Sequence, residues 1–223
     1  MEPSSTFTTT PQTTIRRIPA RGSYDRALAY SILDEALYCS VGFAVAGEPY
    51  VIPMAFARWD DRLVLHGAPA SRLLGALASG VRLCATVTLV DGLVFARSAF
   101  HHSMNYRSVV VLGNATEIKD LDEKRLALTR LVDHVLAGRS RSARAPNEKE
   151  LVSTRVLAMP IEEASIKVRA GGPLDDEIDA TVDCWSGHVP LALTSLPPVP
   201  DEKYPPSAPL PKELLAYRRT TKR

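Results

Sequence analysis

The sequence has few cysteines, almost no excess charge and no long apolar run. Its three cysteines, Cys39, Cys84 and Cys184, are far apart and lack the paired spacing of zinc ligands or a disulfide framework. We expect free thiols in a reducing cytoplasm. The 27 Lys and Arg residues nearly balance 25 Asp and Glu residues, and a net charge of +2 excludes the basic footprint of nucleic-acid-binding or membrane-surface proteins.

Hydropathy gives no sign of a membrane segment or a secretory leader. No apolar run approaches the roughly 20 residues that cross a bilayer. The first residues, rich in Thr and Pro, lack the basic region and apolar core of a secretory signal. The sequence therefore predicts a cytoplasmic protein with no membrane and no nucleic-acid partner.

The length of 223 residues suits one domain with tails. Residues 1–16 and 196–223 are rich in Thr or Pro and bury little apolar surface, so we expect disordered tails around a domain spanning 17–195.

Hydrophobic periodicity and turn residues predict a mainly β domain. Helices are expected over Tyr24–Tyr38, capped by Ser23, over Ser71–Ala78 and over Asp122–Leu136. The pair Asp91-Gly92 predicts a hairpin turn. Short strands are predicted at Cys39–Val45, Tyr50–Ala57, Arg62–Leu65, Val81–Val90, Leu93–Ser98, Tyr106–Thr116, Arg155–Met159 and Ser165–Arg169. This pattern favours an antiparallel β-barrel with flanking helices.

A strand followed directly by a helix start suggests a phosphate site. His66-Gly67 ends a predicted strand, and Ser71-Arg72 opens a helix. Free N–H groups, a helix dipole, a hydroxyl and a guanidinium together suit a phosphate. The alternative is an ordinary Ser cap beside a solvated Arg.

A second polar segment follows the Asp91-Gly92 pair. Arg97 and Arg107, each followed by a Ser, are placed to grip a phosphate from two sides, although Arg side chains paired with carboxylates are the more common case. Adjacent His101 and His102 point to opposite faces if the segment is extended, so we predict no metal site there.

Two further residues, His66 and Trp185, each allow two interpretations. His66 is suited either to facing a cofactor ring or to a hydrogen-bonded position in the core. Trp185 lies in a short apolar patch and suits either a cover over a planar ligand or an anchor for the tail.

Taken in order, the motifs resemble the flavin-nucleotide-binding branch of the pyridoxamine 5′-phosphate oxidase-like superfamily, the branch that includes nitroimidazole-resistance reductases. The similarity runs from about Arg17 to Leu191. The carrying motifs are Arg21-Gly22-Ser23-Tyr24-Asp25, Pro49-Tyr50-Val51-Ile52-Pro53-Met54, Leu65-His66-Gly67-Ala68, Ser71-Arg72, Asp91-Gly92-Leu93-Val94, Phe100-His101-His102-Ser103, Asn105-Tyr106-Arg107-Ser108-Val109 and Trp185-Ser186-Gly187-His188-Val189-Pro190-Leu191.

The resemblance implies an FMN-binding split barrel, with FMN held at the interface of a homodimer. It implies that Ser71 and Arg72 hold the phosphate and that His66, the tentative catalytic residue, faces the flavin. The remaining implied cofactor-binding positions are Pro53, Met54, Ala55, Leu65, Gly67, Tyr106, Arg107, Ser108 and Trp185.

The segment Asp175–Pro211 departs from true pyridoxamine-phosphate oxidases because it lacks their basic substrate-phosphate constellation. We therefore expect a flavin-dependent oxidoreductase acting on another small molecule. The alternatives are a flavin-binding, storage or sensing protein without turnover, or a haem or deazaflavin binder using the same groove.

Overall fold

The computed structural model describes residues 4–205 and 208–217. Of the two predicted tails, residues 1–3, 206–207 and 218–223 lie outside the described part. The described chain contains ten strands in one antiparallel sheet. The strands are β1 (Gly22–Ser23), β2 (Tyr38–Val45), β3 (Glu48–Trp59), β4 (Arg62–Gly67), β5 (Leu83–Phe95), β6 (Ser103–Gly113), β7 (Thr116–Glu117), β8 (Arg155–Pro160), β9 (Glu163–Arg169) and β10 (Gly187–Pro190).

The strand order is β1-β9-β6-β5-β2-β3-β4-β8-β7, and β10 pairs with β5 outside this path. Within the described residues the two ends of the path, β1 and β7, do not pair, so hydrogen bonding leaves the sheet open. The predicted antiparallel, mainly β fold is confirmed, with a curved sheet that splits instead of closing.

Alternation along the strands places the main core on the inner face of this sheet. In β2, Cys39, Val41 and Phe43 are buried while the residues between them are not. They pack with inward residues of the neighbouring strands, such as Ala85 of β5 and Val109 of β6. Each large apolar side chain buried this way stabilises the fold by about 1.5–3 kcal/mol.

Five α-helices flank the sheet in the described chain: α1 (Arg26–Glu35), α2 (Arg72–Ala78), α3 (Leu121–Val135), α4 (Glu148–Val152) and α5 (Lys212–Ala216). The predicted cap of the first helix was wrong: Asp25, not Ser23, accepts the hydrogen bond from the Leu28 N–H, because Ser23 still belongs to β1. The predicted cap of α2 is confirmed, since the Ser71 hydroxyl accepts from the Leu74 N–H.

The Asp91-Gly92 prediction was also wrong. No hairpin forms there: β5 continues to Phe95, and the pairing with β6 shifts register between Val90 and Gly92. A Cβ atom on Gly92 would lie 2.9 Å from the Val189 carbonyl oxygen of β10. Glycine is therefore needed for close backbone approach at a bulge, a role that the same dipeptide does not distinguish from a turn.

The expected disordered N-terminal tail is corrected by the packing of residues 4–16. Phe7 is only 3% exposed and contacts Tyr30 edge to face, while the Arg26 guanidinium lies over its ring. The Tyr24 hydroxyl donates to the Thr13 carbonyl. Together with backbone hydrogen bonds, these contacts hold the Thr-rich segment on the domain.

None of the helices in ranges 4–205 and 208–217 combines the length and the apolar character that a bilayer crossing requires.

Candidate functional site

The first part of the candidate site is the edge of β3 beside the loop that leads into α2, here called the β3–α2 edge (Glu48–Ala55 and Gly67–Arg72). β3 pairs with β2 from Glu48 to Ala55 but with β4 only from Phe56 to Trp59. Within the described chain, the earlier half of β3 therefore has a strand neighbour on one side only. Predicted residues Pro53, Met54 and Ala55 lie in this half.

The predicted phosphate residues close this edge. Ser71 caps α2, and the guanidinium carbon of exposed Arg72 lies 5.3 Å from the centre of the Tyr50 ring on β3. A Cβ atom on Gly67 would come within 2.9 Å of a Leu74 methyl group, so glycine lets the strand end pack directly on the helix. A hydroxyl, a guanidinium and the start of α2 are thus brought together at the end of β4.

His66 faces away from the main core of the sheet. It lines a cavity, here called the α3 pocket. The cavity has a volume of about 670 Å³ and lies between the outer face of β3 and β4, helix α3 and the segment from 139 to 150. Leu65, by contrast, belongs to the main core inside the sheet. The pocket is lined by Ala55, His66, Leu128, Thr129, Leu131, Val132, Val135, Leu136, Arg139, Ser140, Ala143, Arg144, Ala145, Pro146 and Glu150.

The His66 ring is a polar group well placed to contact a ligand bound in this pocket. Its Nδ1 atom is buried and has no hydrogen-bond partner. Burial lowers the pKa of His66 below its ordinary value, which keeps the ring neutral and able to act as an acceptor or a metal ligand near neutral pH. Of the two roles left open for His66, the hydrogen-bonded core position is thus the less well supported.

The α3 pocket explains a discrepancy on α3. The apolar face of the helix predicted over Asp122–Leu136 carries Leu126, Leu128, Leu131, Val132 and Val135. Leu131 is buried, together with Ala127 and Lys124, but Leu126, Val132 and Val135 are exposed. Val132 and Val135 line the cavity instead of filling a core, whereas Leu128 lines it and also packs against the buried cluster that contains Ala127 and Leu131.

Two arginines lie at the side of the pocket formed by residues 139–150. Arg144 pairs with Glu150 at 2.6 Å, and Arg139 approaches Glu213 of α5 at 3.4 Å. The sequence did not predict a site in this segment, because a basic stretch interrupted by Pro146 is typical of a loop. The signal that was present is the density of Arg residues: Arg139, Arg141 and Arg144 lie within six positions.

The Tyr106-Arg107-Ser108 segment lies on β6 and is already engaged within the chain. The Arg107 guanidinium pairs with Glu35 at 2.5 Å and with Asp91 at 2.8 Å, and these contacts raise its pKa. The Ser108 hydroxyl donates to the Lys167 carbonyl. The predicted approach of this segment to a flavin stays a prediction, but in the described chain Arg107 serves to tie α1, β5 and β6 together.

Arg97 is likewise paired with a carboxylate, so the two-sided grip by Arg97 and Arg107 does not form. Asp175 accepts hydrogen bonds from the Arg97 and Ser98 N–H groups and pairs with the Arg97 guanidinium at 3.3 Å. These contacts leave the Asp175 side chain only 10% accessible. Trp185 is 66% exposed and lies 6.0 Å, centre to centre, from the Phe95 ring.

The family pattern described as pyridoxamine 5′-phosphate oxidase matches residues 25–168, well over half of the chain. This chain belongs to that family. The match covers every strand from β2 to β8, the β3–α2 edge and the α3 pocket, and it confirms the resemblance expected from the motifs. No curated protein matches the chain.

Solved structures add two relatives over nearly the full length. The flavocytochrome Anf3 from Azotobacter vinelandii is 39% identical, covers 94% of this chain and 97% of its own, and superposes with a TM-score of 0.88. The FAD and heme binding protein from Mycobacterium smegmatis is 34% identical, with 90% and 98% covered and a TM-score of 0.86.

A third structure extends the comparison to the branch expected from the sequence. A putative 5-nitroimidazole antibiotic resistance protein from Bacteroides thetaiotaomicron is 27% identical, covers 66% of this chain and 86% of its own, and has a TM-score of 0.57. The first two relatives match this chain over a much larger share of its length.

Proposed function

We propose that this protein binds a flavin nucleotide at the β3–α2 edge and acts as a flavin-dependent oxidoreductase. The observation that carries the proposal is the arrangement of Ser71 and Arg72 at the capped start of α2, beside a half of β3 with one side free of strand pairing. In this arrangement Arg72 and Ser71 hold the phosphate, and backbone groups near Pro53, Met54 and Ala55 meet the ring. The flavin supplies hydride or single-electron chemistry when bound, and the protein binds, orients and shields it.

The phosphate contact is tested by comparing FMN with riboflavin, which has the same ring but no phosphate. Arg72→Ala should weaken FMN binding at least tenfold, because a charge-assisted hydrogen bond contributes about 1.5–3 kcal/mol, and should leave riboflavin binding unchanged. Arg82→Ala is the matched control, since Arg82 is an exposed arginine paired with Glu163. Equal FMN affinity in Arg72→Ala and wild type would overturn the phosphate assignment.

The identity of the flavin is a separate question. The sequence resemblance favours FMN, whereas the relative from Mycobacterium smegmatis is named for FAD. Both share the ring and the phosphate that Arg72 would hold. Chromatography of the cofactor released from purified protein by heat distinguishes FMN from FAD.

Turnover is tested by stopped flow. NADH or NADPH reduces an oxidoreductase faster than it reduces free flavin, whereas a storage or sensing protein is not reduced faster.

A specific observation favours a second cofactor, haem, in the α3 pocket. The pocket is apolar over α3, large, and contains a neutral histidine with an unpartnered buried nitrogen. Both relatives that match nearly the full length are named for haem or as a flavocytochrome. Here the residues fit the group: His66 would ligate the iron, the α3 side chains would pack on the ring, and Arg139 and Arg144 would face its carboxylates.

The haem proposal is tested by the visible spectrum of purified protein. We expect a Soret band together with flavin absorption in the wild type. His66→Ala should lose the Soret band and keep the flavin bands, and His102→Ala, an exposed histidine outside the pocket, should keep both. A Soret band that survives in His66→Ala would exclude His66 as ligand.

We also propose a homodimer formed by the outer face of β2, β3 and β5. This face carries no charged side chain at the positions that alternate with the core, which are Tyr38, Ser40, Gly42, Val51, Pro53, Ala55, Thr86, Thr88 and Val90. Tyr38 is 60% and Val51 70% exposed, a large apolar surface for a single chain. A second copy bound there would enclose the flavin site from a second side.

The dimer is tested by light scattering. Val51→Glu should convert a dimer into a monomer, whereas the exposed control Val152→Glu on α4 should not.

A further inference from the structure

A cluster of three side chains that do not belong to the β3–α2 edge joins two short 3₁₀ turns. His101 ends the turn Ala99–His101, and Asp176 and Asp179 flank or lie in the turn Glu177–Thr181. One ligand atom from each residue lies within 4.8 Å of the other two, and His101 Nε2 is 3.0 Å from an Asp176 carboxylate oxygen. The two turns are thus brought together by groups that also bind metals.

The positions of these groups are fixed from outside the cluster. Asp175, next to Asp176, accepts from the backbone of Arg97 and Ser98 and from the Ser186 hydroxyl. These bonds hold the acidic segment against the start of the turn that carries His101. The His101 side chain is only 20% exposed. The chain at Asp176 is therefore held close to His101 before any ion arrives, while the Asp176 side chain itself is 71% exposed.

The chemistry of the set selects a class of ion. One imidazole nitrogen and two carboxylates suit a divalent transition metal such as Zn²⁺, with water completing the coordination. The two carboxylates supply the negative charge that such a cation neutralises. We propose that His101, Asp176 and Asp179 form a divalent transition-metal site that joins the segment carrying β10 to the turn before β6. The site is independent of the proposed flavin and haem functions.

The sequence predicted no metal site at His101 and His102, because two neighbouring residues of an extended segment point to opposite faces and cannot share one ion. In the structure the two histidines separate, and the His102 Nδ1 atom meets the Ser98 carbonyl. The other two ligands come from more than 70 residues further along the chain, where no local spacing rule connects them to His101.

The test uses the purified full-length protein with its cofactors, treated with a chelator and dialysed. Isothermal titration with Zn²⁺ should show one site per chain. His101→Gln and Asp179→Asn should each weaken Zn²⁺ binding at least tenfold. His102→Gln, the neighbouring control, should bind like wild type.

The outcomes separate the site from its alternatives. Undiminished Zn²⁺ affinity in both His101→Gln and Asp179→Asn, or no stoichiometric binding in the wild type, would overturn the proposal and leave a simple His–Asp contact. Unchanged flavin and Soret absorption on metal addition is expected, because the cluster lies outside both cofactor sites. Circular dichroism of each variant checks that a lost site is not a lost fold.

Discussion

Arg107 and Glu35 form a two-point ion pair that ties strand β6 to the last residue of helix α1. The distances are 2.5 Å from Nη1 to Oε2 and 2.9 Å from Nη2 to Oε1. The same guanidinium makes two further hydrogen bonds to Asp91 at the β5 bulge. Each of the three side chains is less than a third exposed. One arginine thus joins three elements around the bulge.

Removing this guanidinium should destabilise the domain. Arg107→Met removes the cation that pairs with both the Glu35 and the Asp91 carboxylates, and we expect a loss of about 2–3 kcal/mol in the free energy of unfolding. Urea unfolding of the variant measures it. Arg82→Met, which breaks the exposed pair with Glu163, should cost under about 1 kcal/mol. Equal losses in the two variants would contradict a special role for Arg107.

The sequence predicted most of the sheet because local signals and burial agree there. The alternating apolar residues and the turn residues predicted the ends of β2, β3 and β4 to within two residues. The Ser71 cap was predictable for the same reason, since a cap depends on neighbours three residues away.

Features set by distant contacts were not predictable. The Asp91-Gly92 bulge depends on β10, about 100 residues later in the chain, and the order of residues 4–16 depends on Phe7 reaching α1. In the sequence, the apolar residues on the exposed side of α3 look like core residues. Residues that line a cavity and residues that fill a core are apolar alike. The α3 pocket could not be predicted from the sequence, because only the packing of the folded chain shows on which face of β4 the His66 ring lies.

The cysteines should differ sharply in reactivity. Cys184 is exposed, Cys84 half-buried and Cys39 buried. Under native conditions we expect one fast reaction with a thiol reagent such as 5,5′-dithiobis(2-nitrobenzoate), one slower reaction, and a third thiol that reacts only on unfolding. The absorbance time course resolves the phases. Cys184→Ser should remove the fast phase alone; its survival would assign that phase elsewhere.

Burial of Cys39 should also make the fold sensitive to high pH. Burial raises the pKa of the Cys39 thiol from 9.0 to about 12, so between these values the unfolded chain loses a proton that the native chain keeps. The free energy of unfolding therefore falls as pH rises through this window, by roughly 1 kcal/mol at pH 10. Cys39→Ala should show a smaller fall between pH 8 and pH 10 in urea unfolding. Parallel falls in both proteins would assign the effect to other groups.

The C-terminal helix should control access to the α3 pocket. The Glu213 carboxylate of α5 accepts hydrogen bonds from Arg139, which lines the pocket, and from Ser142, and these contacts lower its pKa. Glu213→Ala frees the Arg139 guanidinium and loosens α5, so an anionic apolar dye such as 8-anilinonaphthalene-1-sulfonate should bind cofactor-stripped protein several times faster. Glu202→Ala, an exposed acidic residue earlier in the same tail, serves as the control. If both variants bind the dye at the wild-type rate in stopped flow, α5 does not restrict the pocket. A faster rate in Glu213→Ala alone, abolished by adding Arg139→Gln, would show that the released guanidinium attracts the anion and would place the control of entry at this one ion pair.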